Sequence, residues 1–171
     1  MSMLALRRMI TLGAWALALL VPAAAAGQAT SGGVSGVKDF LRVAPVDVKW
    51  VAEADGSGVE RATLFGDPTK PGIYVVQIRF PRGVMSRPHY HGEDRHATVI
   101  QGTWYTGTGD RFTPDHTVGL TRGSYMLHPA GEVHYDGARD QEVIVRIVGY
   151  GPSSTVRLHP EEGNFGRSLP R

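Results

Sequence analysis

The chain has 171 residues, with 22 Gly, 11 Pro, no Cys and a formal net charge of +2. This length supports one domain, or one domain with a tail, and the lack of Cys excludes disulfides, zinc ribbons, iron–sulfur clusters and thiol nucleophiles. Any metal centre must therefore be built from His and carboxylates. Gly and Pro together make up about 19% of the chain against a usual ~12%, which suits short strands joined by turns better than long helices.

The first elements form an address label. Arg7 and Arg8 are followed by an uncharged run from Met9 to Ala26, with Trp15 to Val21 at its centre and small residues at its end. A positive start, an apolar middle and an A-x-A site at Ala24 and Ala26 predict a secretory signal peptide over residues 1–26. The adjacent arginines also admit the twin-Arg route. A periplasmic or secreted protein is expected, with no membrane association after cleavage. Cleavage would leave 16 basic against 16 acidic residues, so the basic balance belongs to the discarded segment. No Lys/Arg cluster remains to track a phosphate backbone, and nucleic-acid binding is not expected.

Residues 27–45 read as a flexible linker, Gly- and Ser-rich over 27–38 (GQATSGGVSGVK). A single domain is expected over 46–158. Its predicted strands are Val46–Val51, Ala62–Phe65, Ile73–Phe80, Ala97–Gln101, Thr103–Thr106, Ser124–Leu127, Val133–Tyr135, Val143–Val148 and Thr155–Leu158. A strand every 8–12 residues is the all-β signature. Residues 159–171 read as a polar, partly disordered tail. The expected architecture is a β-sandwich or barrel of the jelly-roll kind.

Seven His are present, three of them in PHYHGEDRH. His89 and His91 are two residues apart, so on a strand both imidazoles point to one face and can reach one metal ion. Around this pair, Gly83 stands five residues before His89. Downstream, Gly123 is followed after five residues by Pro129, then by Gly131 and, two residues later, His134.

In these spacings the chain resembles the cupin family, whose motifs are G-x5-H-x-H-x3,4-E-x6-G and G-x5-P-x-G-x2-H-x3-N. The resemblance covers roughly residues 70–150. It implies an all-β, cupin-like double-stranded β-helix (jelly-roll) barrel with one metal near its axis, held by His89, His91 and His134. The family's acidic ligand is missing. Strict spacing before Gly102 puts Arg95 in its place, and one residue of slack puts His96 there. His96 would complete a four-His site. An inward Arg95 cannot ligate, being always protonated, but would stand ready to pair with an anionic substrate. Ala138 replaces the final Asn of the second motif. His128 has no place in the motifs and reads as a packing residue or one that supports a ligand. Trp104, Tyr125 and Tyr135 read as core or pocket wall.

An all-His site suits one divalent transition metal: Fe, Mn, Ni, Cu or Zn. The resemblance implies a metal-dependent enzyme acting on a small oxygenated molecule, dioxygenase-like or else an isomerase or lyase, with Arg95 or Tyr105 orienting the substrate. The alternative is a non-catalytic periplasmic cupin that binds a small molecule or metal, since one fold serves many functions. Exposed strand edges suit a homodimer.

Overall fold

The computed structural model describes residues 39–169, so the expected signal peptide and most of the linker lie outside the described residues. Thirteen strands follow in chain order: β1 (Val51–Ala52), β2 (Glu60–Phe65), β3 (Gly72–Phe80), β4 (Val84–Ser86), β5 (His89–Tyr90), β6 (Arg95–Gln101), β7 (Thr103–Thr108), β8 (Val118–Thr121), β9 (Tyr125–His128), β10 (His134–Gly137), β11 (Val143–Gly151), β12 (Val156–Arg157) and β13 (Phe165–Arg167). All pairings are antiparallel.

One sheet runs β1-β2-β3-β11-β6-β9. In the other, β10 is central: it pairs with β7 on one side and with β4 and β5 on the other, while β8 flanks β7 and β12 and β13 flank β5 and β4. The longest ladder joins β3 to β11 over nine residue pairs. Alternation along these strands sends Tyr74, Val76, Ile78 and Phe80, and Val143, Val145 and Ile147, into the interior. Ala97, Val99 and Trp104 complete the core.

The expected closed barrel is not formed. Among the described residues no ladder joins a strand of one sheet to a strand of the other, so the fold is two facing antiparallel sheets with open edges. The strands that closure would have to join are β1, β8, β9, β12 and β13. Each has only two to four residues, too few for a ladder long enough to seal a barrel.

The chain changes sheet between β6 and β7 at Gly102, whose φ is 78°. A Cβ there would lie 2.4 Å from the Glu142 carbonyl oxygen, so the tight crossing requires glycine.

Two further expectations fail. The strand predicted over Val46–Val51 is replaced by a 3-10 turn at Pro45–Asp47, with Val46 87% exposed. Pro45 presets the turn's φ and cannot donate a ladder hydrogen bond. The second concerns the polar tail expected to be partly disordered, within which Phe165–Arg167 form β13 and pair with β4. Phe165 packs edge-on against Phe80, and the buried Ser168 hydroxyl donates to the Ala138 carbonyl at 2.6 Å.

Candidate metal centre

Two cross-strand pairs face each other across the space between the sheets. On one sheet His134 of β10 is in register with His89 of β5. On the other, Arg95 of β6 is in register with His128 of β9. His91, two residues beyond His89, turns to the same interior, and its carbonyl accepts from the Gly131 amide at 2.8 Å. The Pro129–Gly131 turn is thereby tied to the His91 backbone. All five side chains are buried.

The ligand-capable nitrogens of His89, His91 and His134 all lie within 4.8 Å of one another. Each Nδ1 faces a backbone carbonyl: Arg87 at 2.7 Å, Ser154 at 2.9 Å and Glu132 at 3.0 Å respectively. A carbonyl only accepts, so each Nδ1 carries the proton and each Nε2 keeps its lone pair. Holding the outer nitrogen in this way is how metal-ligating histidines are oriented. The Nε2 of His134 has no hydrogen-bond partner.

Arg95 qualifies the picture. Its Nη1 donates to His91 Nε2 at 2.5 Å. A metal taking all three histidines would need that lone pair released. With this condition, three imidazoles converging in a buried space fit one divalent transition metal.

A second group, His128, His134 and Asp136, has the same compactness. His128 stacks on His134 with ring centroids 3.8 Å apart, and neither of its nitrogens has a partner. Asp136 accepts from Trp104 Nε1 at 3.2 Å, and its other oxygen is 3.8 Å from His134 Nε2. His134 belongs to both groups and presents a single free nitrogen, so the two describe one centre with two ways of completing it.

Burial dominates the electrostatics here. It pushes His89 down to about 3, and His91 and His128 down to about 2, and protonating any one of them beside Arg95 and the other imidazoles would also crowd positive charge. These imidazoles are neutral, the form that ligates metal. Burial also lowers Arg95 and raises Asp136.

His96 does not join the cluster. Along β6, Arg95, Ala97 and Val99 are buried and His96 is exposed, where its Nδ1 lies 2.8 Å from the Tyr125 hydroxyl. Strand alternation thus gives the family's acidic position to Arg95, and the slack that would bring in His96 is absent. Tyr105 also lies off the cluster: it alternates with the buried Trp104 and reaches Asp140 at 3.3 Å.

His128, Asp136 and Arg157 hold no defined position in the two histidine motifs. Other signals for His128 and Asp136 were present: His128 shares strand parity with Met126, which packs on the core, and Asp136 is two residues from His134, the spacing that relates His91 to His89.

The cluster opens on a partly open cavity of about 50 Å³. Its walls include Ile78, Phe80, Trp104, Val145 and Ile147, and its polar lining includes Arg157.

Residues 39–157 match the family described as "Domain of unknown function (DUF4437)". The chain belongs to this family. No curated protein matches this DUF4437 chain. Among solved structures it is similar to the polyketide cyclase RemF from Streptomyces resistomycificus, with a TM-score of 0.56 and 19% identity over 70% of this chain and 87% of that one. It is similar to the DMSP lyase DddQ from Ruegeria pomeroyi DSS-3, with a TM-score of 0.54 and 16% identity over 68% and 64%. A cupin 2 conserved barrel domain protein from Rhodopseudomonas palustris gives 0.54 and 15% over 70% and 86%. These likenesses establish the fold of the DUF4437 chain as cupin-like.

Proposed function

We propose that this protein is a metal-dependent cupin in which His89, His91 and His134 hold one divalent transition metal and the cavity beside them takes a small oxygenated molecule. The observation that carries the reading is the convergence of three imidazoles whose Nδ1 protons are each engaged by a backbone carbonyl. When bound, a divalent transition metal here would supply Lewis-acid chemistry, and the cupin resemblance makes a dioxygenase-type oxidoreductase the leading subtype.

The chain's own groups do the rest. Ile78, Phe80, Val145 and Ile147 exclude water from one wall. Arg95 supplies a positive charge beside the ligands and orients an anionic group. Asp136, held by the Trp104 indole and by the Ser86 hydroxyl at its backbone, sits where it can accept a proton hydrogen bond from a ligand.

The test is metal analysis of tag-free protein followed by turnover assays. A near-stoichiometric redox metal with substrate-stimulated oxygen uptake on diols, keto acids or phenolics supports the reading. The names of the structural neighbours, a cyclase and a lyase, add elimination and cyclisation substrates to the panel. Stoichiometric metal with no turnover on any of these would favour a non-catalytic binder. Absence of metal above pH ~7, where imidazoles are neutral, would refute the metal centre.

Residues 1–26 are proposed to direct export to the periplasm or beyond. Exposed edge strands support a homodimer, read by light scattering of the purified protein.

A further inference from the structure

We propose that the cavity is built to capture a small carboxylate, held by the guanidinium groups of Arg95 and Arg157. The proposal deepens the metal-centre reading and rests on it for what lies beside the bound anion, but not for the capture itself.

The carrying observation is a buried cation with no ion-pair partner among the described residues. Arg95 is 5% exposed, its Nε has no hydrogen-bond partner, and it forms no ion pair among the described residues. Its one close side-chain partner is a neutral imidazole, His91. Removing a charge from water without an opposite charge is unfavourable, so a protein that keeps one buried and unpaired leaves it complementary to an anion.

Arg157 lines the same cavity and also forms no ion pair among the described residues. Its Nε donates to the Asn164 side-chain oxygen, and Asn164 in turn donates to Asp55 at 3.2 Å. The guanidinium is therefore positioned through a neutral amide and has no direct ion pair among the described residues. β12 is in register with β5, placing Arg157 opposite His89. Against these two cations the cavity has one carboxylate, Asp136, already engaged by Trp104.

Size narrows the ligand. A water-sized group needs ~10–15 Å³ of such space, so the interior cavity of about 50 Å³ accommodates a headgroup of roughly three to five heavy atoms. A carboxylate with one or two further atoms fits, and a longer tail would extend into the mouth. Planar guanidinium forks match carboxylate geometry in a way that a neutral amide cannot reproduce.

The experiment uses chelator-treated protein labelled with 15N. The Arg95 and Arg157 Nε–H resonances are followed during titration with sodium acetate, and separately with acetamide, at constant ionic strength. Saturable shifts at both arginines, with acetate at least tenfold tighter than acetamide and at least tenfold weaker in Arg95→Met, are expected. Acetamide binding within twofold of acetate, or an Arg95→Met or Arg157→Met variant that keeps wild-type acetate affinity, would overturn the proposal. Folding of each variant is checked by its thermal transition. Should Arg95→Met not fold, Arg157→Met and the acetate/acetamide ratio in the wild type decide alone. Metal stoichiometry measured in parallel separates the two readings. Acetate capture without metal binding defeats only the metal centre, and metal binding without acetate capture defeats only this inference.

Discussion

Acid should unfold the metal-free protein unusually steeply, because three buried imidazoles resist protonation. His89, His91 and His128 lie far below their ordinary value of 6.5 in the folded protein, chiefly through burial. In the unfolded chain each titrates normally. As pH falls below 6.5 the unfolded state binds protons that the native state refuses until pH approaches about 3 or below. Stability is thus fully present above 6.5 and lost downward through that window. At pH 5.5 each unfolded imidazole carries about 0.9 proton, so moving from pH 7.5 to 5.5 costs about 1.4 kcal/mol per histidine and about 4 kcal/mol for the three. Asp136 acts in the opposite direction, since burial raises its carboxyl and lets the native state take up a proton first. That offset is at most one proton. Urea unfolding of chelator-treated protein, followed by tryptophan fluorescence between pH 7.5 and 5, should therefore report an uptake of roughly two to three protons on unfolding near pH 5.5. His128→Leu, which removes an imidazole with no hydrogen-bond partner, should lower the slope by about one proton. A wild-type uptake below one proton would refute the electrostatic reasoning.

Metal affinity should separate the histidines: His89→Ala or His134→Ala should weaken binding by roughly a hundredfold or more, while His96→Ala changes it less than twofold, both read by competition with a chromogenic chelator. Arg95→Met should tighten metal binding by about tenfold or more, because it removes both a nearby cation and the donor on the His91 lone pair; an unchanged or weaker affinity would count against that geometry. Gly102→Ala should destabilise by roughly 2 kcal/mol, since it forces a side chain into positive φ and against the Glu142 carbonyl, with the melting temperature reporting the loss. Intact mass of protein recovered from an exporting host should show loss of residues 1–26; retention of Arg7 and Arg8 would rule out cleavage at Ala26.

Much of the centre was legible because its geometry is local. The i, i+2 relation of His89 and His91 is a property of any strand, and the spacings to Pro129, Gly131 and His134 carried the cupin resemblance. The choice between Arg95 and His96 was open, because one residue of slack reverses every side chain on a strand. The ladders of β6 with β9 and β11 removed that freedom and turned Arg95 inward. His128 stayed in the background for a related reason. Nothing near it in sequence shows that it stands beside Arg95 and stacks on His134, contacts that only the packed sheets create.

The sequence by itself determined the all-β character, through period-two alternation and frequent Gly and Pro. It also determined that any metal centre would be made of histidine and carboxylate, because Cys is absent, and that the formal charge falls to zero if residues 1–26 are removed. Only the tertiary structure decided that, among the described residues, the two sheets stay open, the tail contributes β13, and Arg95 and Arg157 share one cavity with neither in an ion pair. Those outcomes depend on pairings between segments far apart in the chain. Local patterning specifies which face a side chain takes, but not which strand lies opposite it.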